Sequence, residues 1–478
     1  MRLIVENRFA LLALVMVALA ALFGVAALTA PSAADRAAEE RSGVVTRVES
    51  AVRACPAPRG GDGARSETAA FAPVGDGEDG GSLVAVRNEA AATPEGSDGA
   101  AGRPWNSAAD DDRHTVLRAD GGAAAGLEVV QTTVGHGDDP FATEVRCPEP
   151  SVSTWFTAPG GEELDDLRLF LANVDDTAAT VNVDVYATDG PAFSDDTRGV
   201  TVAAHDELEL PLNDLVEVTN AVAVHVRTSS GRVAASLFAE RGDTGADWVP
   251  ATTPPAERHV ITGIPSGEAD KQLIAATLGD DPATATVRVI TDEGEVTDAV
   301  QRLEIPPAAS STLVIEGPLG RRPGTLVVES DRPVVVGVAY QRSGDTAYTA
   351  ATPPLAGPLD GRAVVPATPD GTATQLVFGA PGRGGRVVVT PVSARGQQGT
   401  PQEVEIADGH TVAPELDLPG ATRVLLVEVA DGSGDVHAAR VLRQGSGDGQ
   451  ATAVQPLWPA PSAVRLPSTS DSLISVVR

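Results

Sequence analysis

Along most of the chain, apolar and polar residues alternate with a period of two, in runs of five to eight separated by turns rich in Gly, Pro and Asp. That period belongs to β-strands with one buried face. Three stretches share one design: LRLFLANVDDTAATVNVDVYATDG (167–190), KQLIAATLGDDPATATVRVITDEG (271–294) and TQLVFGAPGRGGRVVVTPVSARG (374–396). Each reads as an apolar strand, a polar turn, a second strand alternating Val with polar residues, and a Gly turn. This predicts a β-hairpin with one buried face. The starts lie about 104 residues apart. Each hairpin is followed by a second strand pair (VTVAAHDELELPL, RLEIPPAASSTLVIEG, EVEIADGHTVAPELDL). A third pair comes next (AVAVHVRTSSGRVAASLFAER, TLVVESDRPVVVGVAYQR, RVLLVEVADGSGDVHAARVLRQ).

Pro-rich segments recur between these units, at 248–267, 348–371 and 457–471, where proline suits strand edges and turns. The same grammar continues towards the N-terminus, where TAAFAPVGDGEDGGSLVAVRN (68–88) resembles STWFTAPGGEELDDLRLFLAN (153–173). The pattern therefore predicts a divergent first β unit at 51–147 with an acidic loop at 89–112. Three repeats follow at 148–257, 258–361 and 362–458, and a closing strand pair at 459–478. Val48 to Cys55 reads as a strand of the kind that closes a unit. The terminal SAVRLPSTSDSLISVVR reads as only the first two strands of another. An isolated hairpin is marginal in water, so the terminal pair is expected to dock on the first unit or the third repeat and bring the ends together. The expected fold class is all-β: tandem antiparallel, Ig-like β-sandwiches of about 100 residues. A β-propeller closed by the C-terminal strands is the alternative.

The alternation is absent from Phe9 to Ala30, 22 residues without a charge. A helix of that length spans a hydrocarbon core about 30 Å thick. Arg2 and Arg8 precede it, so the positive-inside rule leaves residues 1–8 in the cytoplasm, makes 9–30 a transmembrane signal-anchor, and exports the rest beyond a stalk at 31–50. A cleaved signal peptide, cut near Ala30-Pro31-Ser32-Ala33, is the competing reading. The two cysteines, Cys55 and Cys147, both fall in the exported part in matching contexts, VRACPAP and EVRCPEP. In an oxidising compartment they are expected to form one disulfide.

Composition changes this picture in two respects. With 35 Lys plus Arg against 66 Asp plus Glu, the net charge is −31, which excludes a basic nucleic-acid binder. With only 9 Phe, 4 Trp and 3 Tyr, the cores must be built from Val, Leu, Ile and Ala. Lys271 is the only lysine.

The strand-turn-strand grammar LANVDDTAATVNVDVYATDG, followed by a Pro-bounded pair and VESDRPVVVGVAYQR, resembles a family of actinobacterial membrane-anchored exported proteins carrying a domain of unknown function. The resemblance extends over most of residues 45–478, including the Cys-Pro sites and the WVPATTPP type of linker. The third repeat departs from it in its first turn, GAPGRGG. The resemblance implies a cell-envelope location and brings no catalytic residues with it.

Candidate chemistry is sparse. The seven histidines (His114, His136, His205, His225, His259, His410, His437) fall in no HExxH or HxH context, and no GxSxG is present. His225, alternating with apolar residues in AVAVHVRT, is expected on the solvated face of a strand. GDGEDG (75–80) matches GxGxxG, but Asp76, Glu78 and Asp79 would repel a pyrophosphate and no helix follows. Those carboxylates, Asp110, Asp111 and Asp112, or the Asp280–Asp281 turn could hold calcium, yet none has EF-hand spacing. Trp105, Trp155, Trp248 and Trp458 fall in linkers or strand starts, where packing between units explains them. Arg241-Gly242-Asp243 is an RGD tripeptide that chance accounts for in this composition.

No catalytic, cofactor-binding or metal residues are therefore expected; the disulfide is the one assigned site. The expected function is a non-enzymatic, membrane-anchored scaffold of the cell envelope. Its partners would be the membrane, through one N-terminal helix, and envelope proteins or glycans. The alternative is a cell-wall carbohydrate-binding or glycan-processing enzyme with carboxylates at a unit interface.

Overall fold

The computed structural model describes residues 16–19, 21, 45–60, 63–74, 80–87, 99–109, 113–135, 140–161, 164–242, 245–342, 344–355, 362–446 and 450–466. Residues 16–19 and 21 are helical, and the rest of the Phe9–Ala30 run lies outside the described residues. Among the described residues no helix is long and apolar enough to cross a membrane.

The chain divides into two compact units. One comprises residues 1–46 and 463–478 and holds Ala463–Arg465 and the first two residues of its partner strand, Val45–Arg47, in a two-stranded sheet. The second half of the predicted terminal pair lies outside the described residues. The other unit, residues 47–462, holds every remaining sheet. Among the described residues the protein is nearly all β, built from several antiparallel sheets of which none closes into a barrel.

Within residues 47–462 the strands form four β-sandwiches with separate cores. The first is centred on Leu117, Leu127 and Val129, the second on Leu169, Val183 and Leu237, the third on Leu273, Val287 and Val336, and the fourth on Phe378, Val389 and Val427. As the composition requires, these cores are mostly aliphatic. The alternating pattern is realised literally in Ala179–Ala187, where every second residue is buried.

The strands predicted as hairpins are not hairpins. Asp166–Asn173 pairs with Asp206–Pro211 and Ala234–Arg241, whereas Ala179–Ala187 pairs with Val200–Val202 and Ala221–Ser230 in the opposite sheet. The turn NVDDTA therefore crosses from one sheet to the other. The second and third strand pairs are arches of the same kind. A period of two says that one face of a strand is buried, and it cannot distinguish two strands side by side from two strands face to face. The sandwiches also use their own strand order. In an immunoglobulin sandwich the second strand lies beside the fifth and the third beside the sixth. Here, not counting the short edge strands, the second (Asp166–Asn173) lies beside the sixth (Ala234–Arg241), and the third beside the fifth (Ala221–Ser230). True hairpins join Ala179–Ala187 to the short Gly190–Ala192 and, at the end of the sandwich, Ala234–Arg241 to Gly245–Val249. In the third sandwich one strand, Gly324–Arg342, runs through both sheets and joins them.

The first sandwich also differs from its sequence reading. Ser50–Cys55 opens that sandwich by pairing with Thr115–Gly121, so it is not a closing strand. Arg65–Phe71 pairs with Glu128–Gly135 and corresponds to Asp166–Asn173, one strand later than the AFAP/WFTAP similarity suggests. Four or five small and aromatic residues in common set that alignment, and they do not encode which sheet a strand joins.

The four sandwiches close into a ring. The last strand of each, Phe141–Arg146, Gly245–Val249, Asp345–Ala350 and Ala451–Leu457, contacts the next, and the fourth contacts the first. Each seam has an apolar seal. Val145, Phe170, Phe238 and Trp248 close the first against the second, and Trp155, Ala223, Ala276 and Val335 the second against the third. Tyr340, Ala347, Val377 and Val454 seal the third against the fourth, and Val134, Ala142, Leu442 and Ala453 the fourth against the first. The approach is close enough to require glycine at Gly263, which has φ 85° and whose Cβ would lie 2.2 Å from that of Ala439. Residues after the last strand complete the closure. The Gly126 N–H donates to Pro461 O (3.1 Å) and the Val48 N–H to Ser462 O (2.9 Å), joining the two ends of this unit. The units are thus sandwiches, as the pattern predicts, and they are arranged in a closed circle as propeller blades are.

Lys271 is buried in the third sandwich. Its ammonium donates to Gly267 O (2.7 Å) and Gly320 O (3.2 Å) and lies 5.8 Å from the centre of the Tyr340 ring. Lys271→Met should leave both carbonyls without this donor and lower stability by about 1–3 kcal/mol, read from the urea midpoint.

Candidate functional site

Cys55 and Cys147 form a disulfide, both fully buried, with a sequence separation of 92. It ties the opening strand of the first sandwich to the end of its last strand.

Chemistry-bearing side chains converge at two further places. The first is the ring centre. Glu144 and Arg440 make a buried pair across the closing seam, their side chains 0% and 1% exposed. Arg440 Nε donates to Glu144 Oε1 (3.1 Å), and its Nη1 donates to Pro366 O (2.7 Å). Thr132 Oγ1 donates to Glu144 Oε2 (3.0 Å). On the neighbouring strand, Asp247 Oδ1 accepts the N–H groups of Glu144 (3.0 Å) and Trp248 (2.8 Å). Asp345 Oδ1 accepts the Thr452 N–H across the third seam (3.0 Å). Burial pushes the Asp247 carboxyl well above its usual range, and Asp345 and Glu144 add to this; burial raises Asp345 to about 6. Carboxylates therefore do gather at unit interfaces and beside Trp248. All three residues are nonetheless buried, and their bonds run to groups on neighbouring sandwiches, so they hold the seams together.

The second place is the outer face of a sheet in the second sandwich. Asp184, His225 and Trp155 are directly opposite one another on three adjacent strands, and Arg227 is opposite Ser153 one step along. The His225 ring stacks on Trp155 at 3.7 Å and 7°. Its Nε2 is 2.9 Å from Ser153 Oγ, and its Nδ1 is 3.9 Å from Asp184 Oδ2. Asp184 also accepts Arg227 Nε (2.8 Å) and pairs with Arg198. Burial lowers the His225 pKa to about 4, against the pull of Asp184. Its side chain is 15% exposed, so the expected solvated histidine is instead half-buried between neighbours. Sequence reading missed this group because Ser153, Asp184 and His225 are brought together only by strand register.

His114 is buried beside Glu207 (3.1 Å), His259 bonds to Thr253 Oγ1 and Val334 O, His205 to Asp176, and His410 to Asp408 O. Burial lowers the His437 pKa to about 4. Trp155 and Trp248 seal seams, Trp105 packs on the first core, and Trp458 lines a small cleft with Arg440 and Gln455. Arg241 of the RGD tripeptide is buried and donates to Gly160 O (3.0 Å), and Asp243 lies outside the described residues. So do His136, residues 75–79 of GDGEDG, and residues 89–98 and 110–112 of the 89–112 loop. Asp281 pairs with Arg332 (3.2 Å) in an exposed turn. Among the described residues no three His, Cys, Asp or Glu side chains come together as a metal site.

The buried histidines predict a pH dependence. A histidine held neutral by burial contributes stability above its unfolded pKa of about 6.5, and that contribution falls as pH drops towards the folded value. For His437, whose folded pKa is about 4, about 2 kcal/mol should be lost between pH 7 and pH 5. Asp345, raised to about 6, opposes this by binding a proton in the folded state over the same interval. Urea midpoints at the two pH values should therefore shift least in acid for His437→Gln and most for Asp345→Asn, relative to the parent.

These features define an all-β protein: four sandwiches closed in a ring, with a disulfide in the first and buried ion pairing at the closing seam. The chain belongs to a family of unknown function, DUF5719, whose model matches residues 105–419. No curated protein matches it. Among solved structures, it is similar to Thermotoga maritima 1070 (24% identity over 18% of this chain and 79% of that one, TM-score 0.16). Chicken CNTN1 FN1–FN3 domains share 10% identity over 64% and 93% of the two chains, with a TM-score of 0.09. The Streptomyces avermitilis α-L-rhamnosidase complexed with L-rhamnose shares 10% over 85% and 55%, with a TM-score of 0.13. Likenesses at these scores bear on neither the fold nor the function.

Proposed function

We propose that this protein is a non-enzymatic scaffold of the cell envelope, anchored by residues 9–30 with the sandwich ring outside the membrane. The observation that carries the reading is the closed ring. Its polar convergence at the centre is used in holding one sandwich to the next, which favours a rigid body that presents loops and edges to partners. The buried disulfide favours an oxidising, extracytoplasmic compartment, and the uncharged run after Arg8 favours an anchor with its N-terminus inside. The acid-rich surface favours solubility and keeps exposed sheet edges apart. Envelope proteins or glycans are the partners this reading implies.

The test is crosslinking and affinity purification from the native envelope. Lys271, the only lysine, is buried, so reagents aimed at lysine side chains will find almost nothing and a photoreactive or carboxyl-directed reagent is needed. The same envelope proteins or glycan fragments should return in independent preparations. Failure to recover any reproducible partner would contradict the scaffold reading.

A further inference from the structure

We propose that Ser153 is a covalent acyl-acceptor site, with His225 as the base that takes its proton and Asp184 and Arg227 as positioning groups. The proposal goes beyond the scaffold reading and is independent of it.

Directly opposed residues on adjacent antiparallel strands project from the same face of a sheet. Asp184, His225 and Trp155 form one such row, and Asn182, Arg227 and Ser153 form the next. Ser153 is exposed, while the base beside it is held. Trp155 supports the His225 ring from one side, and the ring nitrogens point in two directions, Nε2 to Ser153 Oγ at 2.9 Å and Nδ1 towards Asp184 at 3.9 Å. A nucleophile with a base within hydrogen-bond reach is the arrangement that activates a hydroxyl in unrelated folds, and here the carboxylate, 3.9 Å behind the base, contributes charge without a hydrogen bond. The Ser153 backbone is fixed as well. Its N–H donates to Ser151 Oγ (3.2 Å), which in turn donates to Ser153 O (2.9 Å). Arg227, half-exposed and directly across from Ser153 in register, turns its guanidinium to Asp184 on the strand beyond and fixes that carboxylate behind His225.

The same geometry limits what the site does. Asp184 is shared with Arg227 and Arg198, and burial keeps His225 neutral and weakly basic. A weak base suffices when the donor carries a good leaving group, such as a thioester or an aryl ester. It does not suffice to drive water onto the resulting serine ester, whose leaving group is a poor alkoxide. In the step, the Ser153 Oγ–acyl carbon bond forms and the bond from acyl carbon to the thiolate or phenolate breaks. The hydroxyl proton passes to His225 Nε2 and from there to the departing group. Ser153 lies on an open sheet face, so a donor reaches it from outside.

The probe is 4-nitrophenyl acetate, given to the whole protein at pH 7.5. Released 4-nitrophenolate should plateau at about one equivalent, and mass spectrometry should place the acetyl group on Ser153. Acetylation there should run at least about tenfold faster than at any other hydroxyl, and His225→Gln should remove that advantage. Ser153→Ala, an exposed change that leaves the urea midpoint in place, should abolish the burst. Acetylation that does not prefer Ser153, or that prefers it equally in a folded His225→Gln protein, overturns the proposal. Continued release beyond one equivalent, lost in Ser153→Ala, also overturns it by making the site a hydrolase.

Discussion

Replacing Arg440 with methionine should lower the unfolding free energy by about 3–5 kcal/mol, the usual cost of leaving a buried charge without its partner. Glu144 would remain fully buried, retaining Thr132 Oγ1 as a donor and losing both guanidinium contacts. Because the pair joins sandwiches 296 residues apart in sequence, the damage should appear first as separation at one seam. Hydrogen exchange should rise along Glu128–Gly135 and Ala451–Leu457 before it rises in the second and third cores. Urea denaturation gives the magnitude. Pairing the change with Glu144→Leu should recover much of the loss, since a well-packed apolar pair of similar volume is often as stable as the buried ions it replaces. If the single substitution leaves both the midpoint and the exchange pattern unchanged, the seam does not depend on this pair.

The second large effect belongs to the disulfide. Cys55→Ala with Cys147→Ala releases a loop of about 92 residues in the unfolded chain, and loop-closure entropy makes this worth about 4–5 kcal/mol. The structural consequence is specific. Ser50–Cys55 is the edge strand of a three-stranded sheet that also contains Thr115–Gly121 and Gly81–Arg87, so the first sandwich loses its tether where it has fewest strands. Calorimetry of the oxidised parent, the reduced parent and the double variant should show the last two melting together, well below the first. Equal melting temperatures for all three would remove the disulfide from the stability of the ring.

How far the sequence revealed this arrangement depends on the kind of information each feature carries. Strand identity was legible because burial of one face writes itself as alternation, as in Ala179–Ala187. Strand partnership was not. The polar turn NVDDTA suits a hairpin and an arch equally, and the choice is made by which apolar faces meet, a three-dimensional fact. The similarity of TAAFAP to STWFTAP misled for a related reason, since short motifs of small and aromatic residues serve strands on either sheet. The disulfide was legible from two matched Cys-Pro contexts. Glu144, Asp247 and Asp345 were not legible among 66 acids, because only closure of the ring selects them. Ser153, His225 and Asp184 escaped motif reading because their spacing reflects neighbouring strands and not neighbouring residues.

Small-angle X-ray scattering of residues 47–462 tests the closed ring most directly. A compact body of that length has a radius of gyration of about 22 Å, whereas four sandwiches strung in a line would give roughly 40 Å. The ring predicts a value near the first, with a single compact peak in the distance distribution. A value near the second would contradict it.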